Sequence, residues 1–209
     1  MFKDLLLIAS LHFLAMITPG PDIVLVIRTA LLEKRSAALK VVLGITAGIC
    51  FHLIYCLVGL ALLLKSNLIA LALFQSFSGA YLVYLGLKQI RTLFNRADTR
   101  KQAELNLSKT ESYFFQALLT NIFNPKVTLF FLSLFGLVIK PETPTWVQLI
   151  YCAEMILATL LWFGLISLFL SSKEPARKYG KILQKLEPVF GVLFLIFGLR
   201  LIFSGLFGF

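Results

Sequence analysis

The sequence predicts an all-α polytopic membrane protein, with six transmembrane helices arranged as two inverted three-helix repeats and with helices 1 and 4 broken. Three observations carry this. Of the 209 residues, 59% are hydrophobic and only 14% charged, whereas soluble domains are about half apolar and about a quarter charged. Six apolar stretches, at roughly 5–27, 41–64, 68–90, 113–139, 146–171 and 187–207, each have the length needed to cross a membrane. A helix rises 1.5 Å per residue, so about 20 residues span a hydrocarbon core of ~30 Å. The first and fourth stretches carry proline breaks at corresponding places in a weak internal repeat. Lipid satisfies no backbone polar group, so segments of this length must be helices.

The first stretch follows Lys3 and Asp4, whose charges cancel, and no small-residue cleavage site ends it. It reads as helix 1 of the mature chain rather than a signal peptide. Inside it stands Thr18-Pro19-Gly20-Pro21-Asp22. Two prolines around a glycine remove backbone donors and unwind the helix locally. A second half-helix then starts at Pro21, since proline fits a first helical turn. Asp22 falls in that turn, at the positive end of the helix dipole. A plain kink with a capping aspartate is the simpler reading. Against it, an ionisable group at this depth is costly and normally faces a cavity or a partner.

The second stretch carries Gly44 and Gly48, whose spacing permits a close helix approach or lines a path beside helix 1. His12 in helix 1 and His52 in helix 2 are intramembrane imidazoles that serve either packing or proton relay. The third stretch leads into the polar segment 91–112, a linker rather than a domain. The fourth is interrupted at Asn124-Pro125-Lys126. Asparagine is a good N-cap and proline a good first residue, so another half-helix begins there. Two half-helix N-termini near the membrane centre favour an anionic group such as a carboxylate. In the fifth stretch, Glu154 has apolar neighbours and is a candidate for reversible proton binding. Trp146, Trp162 and the many phenylalanines read as interface anchors and lipid-facing bulk.

The repeat is clearest between helices 3 and 6, where GAYLVYLGLKQI (79–90) aligns with GVLFLIFGLRLI (191–202). Helices 1 and 4 align through their breaks, PDIVL (21–25) over PKVTL (125–129), which sets Lys126 opposite Asp22. A duplicated unit of three helices re-enters the membrane inverted. Interrupted helices at matching places in two such halves point to a transporter's binding site. The chain is therefore one transmembrane domain over 1–209, with repeat one at 1–90, the linker at 91–112 and repeat two at 113–209.

The net charge of +10 follows topology. Fifteen basic residues fall between helices 1 and 2, 3 and 4, and 5 and 6, against Lys3, Lys65 and Lys140 on the other side. The positive-inside rule makes those three loops cytoplasmic and both termini periplasmic, and the charge speaks for anionic membrane lipids rather than nucleic acid. Cys50, Cys56 and Cys152 form no CxxC pair and no metal spacing, so they read as packed thiols. Nothing calls for a cofactor or a metal, and no nucleotide-binding or hydrolase motif appears. The oligomeric state is open, a homo-oligomer included.

TPGPD in helix 1, GITAG in helix 2, SGAYLVYLGLKQI in helix 3 and NIFNPKV in helix 4 together resemble the lysine-exporter (LysE/RhtB-type) family of amino-acid efflux proteins. The resemblance covers essentially the whole chain. It implies a secondary transporter, not an enzyme, that exports amino acids or their derivatives across the bacterial inner membrane and is driven by protons. It carries over to Pro19, Gly20, Pro21, Asp22, Asn124, Pro125 and Lys126 as substrate-binding residues. It does not reach Glu154, which stands with Asp22 as a candidate for proton coupling on local grounds alone. Two other readings remain: export of a metal cation or another small ion, and a membrane redox or scaffold protein with no substrate path.

Overall fold

Eight helices and no strand make up the described part of the computed structural model, residues 1–18, 20–33, 35–66, 68–91, 112–140, 142–169 and 173–207. They are α1 (Phe2–Ile17), α2 (Pro21–Leu32), α3 (Arg35–Ser66), α4 (Leu68–Arg91), α5 (Tyr113–Ile122), α6 (Pro125–Val138), α7 (Thr145–Phe169) and α8 (Lys173–Phe207). Residues 92–111, most of the expected linker, lie outside the described residues.

Both expected breaks are present. α1 and α2 meet at 57°, and α5 and α6 at 56°. Pro21 and Pro125 each occupy the first position of a new helix, where a missing N–H costs nothing. Asn124 caps α6, its side chain accepting the Lys126 N–H at 3.0 Å. Gly20 caps α2 in an extended conformation without a side-chain bond.

The Arg35–Gly59 part of α3 and the whole of α7 are each long and apolar enough to cross a membrane. The two bent pairs, each taken as one span, bring the number to four. The third and sixth expected spans coincide with α4 and with the C-terminal part of α8, in which Gly191–Leu206 is a shorter apolar helix. α8 begins at Lys173, well before the apolar run near 187. The added turns are rich in Lys, Arg, Glu and Gln. Such residues form helix readily, but a search for apolar runs passes over them.

Glycines set the closest helix contacts. α4 and α8 run antiparallel. A Cβ on Gly79 would stand 2.6 Å from the Gly198 carbonyl oxygen, and one on Gly86 would stand 2.6 Å from that of Gly191. The reverse contacts, Gly198 to Gly79 and Gly191 to Gly86, are as tight, at 2.7 and 2.8 Å. α3 and α5 run parallel, with Gly44 against Phe114 and Ala117 and Gly48 against Asn121. The small residues of helix 2 thus serve packing, and they bring α5 close to α3.

The core gathers residues from α1 to α8, Leu25, Ile45, Phe131, Met155 and Phe194 among them. Large apolar side chains also face outward, including Ile54, Phe77, Leu161, Phe169 and Phe203, as suits helices surrounded by lipid. The phenylalanines divide between the two environments. Phe130, Phe131, Phe135 and Phe163 are core, not lipid-facing bulk. Trp162 packs on that core, its ring 4.8 Å from that of Phe13, while Trp146 is exposed. Both helix faces of these segments are apolar, so composition does not separate inside from outside.

The glycine contacts predict a contrast. Gly198→Val should lower the thermal midpoint of the detergent-solubilised protein, at a cost of about 1–3 kcal/mol for overpacking. Gly164→Ala, whose Cβ would meet nothing within 4 Å, should leave it unchanged or raise it slightly. Equal losses from both would mean that the close approach does not hold α4 to α8.

Candidate functional site

A helix break leaves backbone groups without partners, and the site is built on how these are met. At the end of α1, the Thr18 N–H and hydroxyl both donate to the Leu14 carbonyl, at 3.1 and 2.7 Å. The Thr18 carbonyl accepts from Lys126 Nζ at 3.2 Å. That puts an ammonium at the negative end of the α1 dipole. It is a needed compensation, because Lys126 is the second residue of α6, the unfavourable end of its own helix for a cation. Gly20 leaves room for this group, since a Cβ there would stand 3.3 Å from Lys126 Nζ.

Asp22 is the second residue of α2, at the favourable end for an anion. Its Oδ2 accepts from Asn121 Nδ2 at 2.9 Å. Its Oδ1 is buried and has no hydrogen-bond partner among the described residues. Asp22 and Lys126 face the same cavity, yet the hydrogen bond to Asp22 comes from Asn121.

Asn121 sits at the end of α5, fully buried. Behind it, His52 Nε2 donates to the Asn121 carbonyl at 3.0 Å. In the neutral imidazole Nδ1 is then the acceptor, and the Tyr55 hydroxyl donates to it at 2.8 Å. A polar line therefore runs from α3 through α5 to Asp22 on α2. Gly48 makes it fit, because a Cβ there would stand 2.9 Å from the Asn121 Cβ and closer to its Oδ1.

Asp22, Lys126, Gly20, Thr18 and Asn124 line one cavity. The apolar part of its wall comes from side chains such as Met16, Ile49, Phe130, Phe131 and Phe163, with His12 and Thr159 among them. Of the residues the sequence singled out, Gly20, Asp22, Asn124 and Lys126 therefore meet here. Pro21 and Pro125 start the two half-helices without lining the cavity. Pro19 lies outside the described residues. Glu154 is not among the lining residues; its Oε2 is buried and without a hydrogen-bond partner among the described residues. His12 is in the wall, and His52 stands behind Asn121.

The wall thus presents one cationic and one anionic side chain, the complement of a molecule that carries both charges. By charge, a carboxylate suits Lys126 and an amine suits Asp22, whose Oδ1 has no hydrogen-bond partner among the described residues. Among the described residues there is no group of three or more His, Cys, Asp or Glu that could hold a metal ion. Sequence reasoning gave Asn121 no role, although an asparagine within an apolar run is a visible signal. Its partner Asp22 is 99 residues away, and no local pattern carries that pairing.

The family model described as "LysE type translocator" matches residues 13–205. The chain is 31% identical over 200 residues to the threonine efflux protein of Escherichia coli (strain K12), covering 95% of this chain and 97% of that one. It is 30% identical over 197 residues to an uncharacterized membrane protein of Haemophilus influenzae, covering 93% and 94%. It is 26% identical over 188 residues to the homoserine/homoserine lactone efflux protein of Salmonella typhi, covering 87% of each. No solved structure matches.

Gly48 and Asn121 should act as one unit. Asn121→Ala leaves Asp22 without its donor and should cost about 1–3 kcal/mol in thermal unfolding. Gly48→Ala, which displaces Asn121, should cost a similar amount. The double variant should then be no worse than Asn121→Ala, because interacting sites are not additive. Fully additive losses would separate Gly48 from the Asp22 contact.

Proposed function

The chain belongs to the LysE-type translocator family, whose members are transporters and not enzymes, and on that premise we propose that it exports small amino acids or their derivatives across a bacterial inner membrane, coupled to protons. Named relatives that export threonine and homoserine favour a small neutral cargo. The observation that carries the reading is the meeting of Asp22 and Lys126 at one cavity between two broken helices. A zwitterion matches that pair of charges.

Binding then has a physical sequence. The substrate amine donates to Asp22 Oδ1, the oxygen without a hydrogen-bond partner among the described residues. The substrate carboxylate draws Lys126 from the Thr18 carbonyl. The bond so lost ties α1 to α6, and its release loosens one half of the molecule from the other. Pro19, Gly20, Pro21, Asn124 and Pro125 serve by forming the breaks. With no substrate bound, Asp22 takes a proton, which couples the return step to the gradient. Glu154 is a second candidate for that proton, although it does not line the cavity.

The two halves are, in this reading, inverted three-helix repeats, 1–90 and 113–209, crossing the membrane six times, with the basic loops cytoplasmic and both termini periplasmic. The glycine contacts support it. The sequence matches Gly79 to Gly191 and Gly86 to Gly198. Exchanging the halves therefore converts the contact of Gly79 with Gly198 into that of Gly191 with Gly86, and both are present at similar distances. The near-equal bends of 57° and 56° support it too. Alternating access then comes from one repeat moving against the other.

Export of labelled threonine and homoserine from loaded cells tests the site. At normal membrane levels, Asp22→Asn and Lys126→Met should each reduce flux by about 10-fold or more, as expected for losing a charge-assisted contact. Glu154→Gln should change the dependence on the proton gradient only if that carboxylate carries the coupled proton. Unchanged flux in both Asp22 and Lys126 variants would place the substrate elsewhere.

A further inference from the structure

His12 stands on α1 six residues before Thr18, with 2% of its surface exposed. Its ring lies near-parallel to that of Phe130, with centroids 6.4 Å apart, and 5.7 Å from that of Phe131. Its Nδ1 is buried and has no hydrogen-bond partner among the described residues. The same side chain lines the cavity of Asp22 and Lys126. Packing alone does not account for an imidazole here. A phenylalanine would stack on the same rings and leave no polar atom unmet, and buried polar atoms are normally paired. The nearby Thr159 hydroxyl already donates to the Met155 carbonyl at 2.8 Å. His12 therefore brings unspent hydrogen-bonding capacity to an otherwise apolar stretch of wall.

We infer that His12 is a specificity-determining residue that hydrogen-bonds a hydroxyl on the side chain of the transported amino acid. The inference rests on the reading of the chain as an amino-acid exporter with the substrate's charges at Asp22 and Lys126. His12 and Thr18 are six residue steps apart, a helical rise of roughly 9 Å. A short side chain followed by a hydrogen bond of ~2.8 Å suits that separation. A hydroxyl both donates and accepts, so it satisfies the imidazole whichever nitrogen carries the proton. The aromatic wall of Phe130, Phe131 and Phe163 disfavours an anionic side chain, which would lie there without a partner.

Two substrate pairs exchange hydroxyl for methyl at nearly constant volume: threonine with valine, and homoserine with norvaline. The test is competition by each against labelled threonine in proteoliposomes holding the full chain. In the wild type, the hydroxylated member of each pair should compete about 10-fold more strongly, the scale of one hydrogen bond. In His12→Phe both ratios should fall to about one, and in His12→Gln, which keeps a donor and an acceptor, they should stay well above one. His12→Leu replaces His12→Phe if the latter does not fold. A purely structural role would lower uptake of both members and leave the ratios intact. Wild-type ratios of one, or ratios unchanged in the apolar variant, overturn the role of His12 and leave the export reading standing. A wild type that carries no amino acid overturns both.

Discussion

Breaking a helix inside a membrane exposes carbonyls and amides that lipid cannot satisfy. The bond from Lys126 to the Thr18 carbonyl is where this chain meets that constraint. It satisfies a loose helix end, places a cation at the negative end of α1, and joins the break in the first half to the break in the second. The Asn124 cap serves the other break by satisfying the Lys126 N–H. One residue thus has its backbone held by its own half and its side chain engaged with the other. On the proposed reading, a substrate carboxylate would compete for that side chain without disturbing the cap, so the half-helix would stay formed while the tie between the halves changes.

The packing around the breaks divides the molecule by purpose. α4 and α8 approach through reciprocal glycines, with backbone against backbone and little side chain between. Such a seam gains dispersion contacts at close range, which suits a support. α3 and α5 also approach through glycines, but here Gly48 admits a polar residue. Asn121 fills that space and turns a packing contact into an electrostatic one, because its amide reaches Asp22. His52 and Tyr55 hold Asn121 from behind, through its carbonyl. The orientation of a carboxylate on α2 therefore depends on a glycine in α3, through Asn121 of α5.

What could be read from the sequence follows from the range of the physics involved. The breaks at Pro21 and Pro125 and the cap at Asn124 are local chemistry, and both expected half-helices start at those prolines. The convergence of Asp22 and Lys126 was legible through the repeat, which aligns them although they lie far apart in the chain. Asn121 was not, because its function comes from a helix contact that only the glycine stripe permits. The burial of Phe130, Phe131 and Phe163 was not legible either, since lipid and protein core accept the same side chains. His12 was visible as an imidazole in an apolar run, but its place in the cavity wall depends on α6 and α7 folding against α1.

The opposite charges at matching positions are the deepest consequence of the proposed symmetry. A duplicated unit begins with the same residue at both breaks. Two carboxylates, or two ammonium groups, facing one low-dielectric cavity would repel strongly. Each would also complement only half of a zwitterion. A departure from symmetry at one position removes the repulsion and creates a site with an amine side and a carboxylate side. The rest of the break can remain alike in both halves, with proline starting the half-helix and the charged residue following it. Under the proposed symmetry the two breaks would act as equivalent hinges, and the violation at Asp22 and Lys126 would give a bound zwitterion a direction in the cavity. That direction would also decide which group of the substrate meets the wall at His12: with amine and carboxylate at the breaks, as proposed, the side chain is the part left to be read.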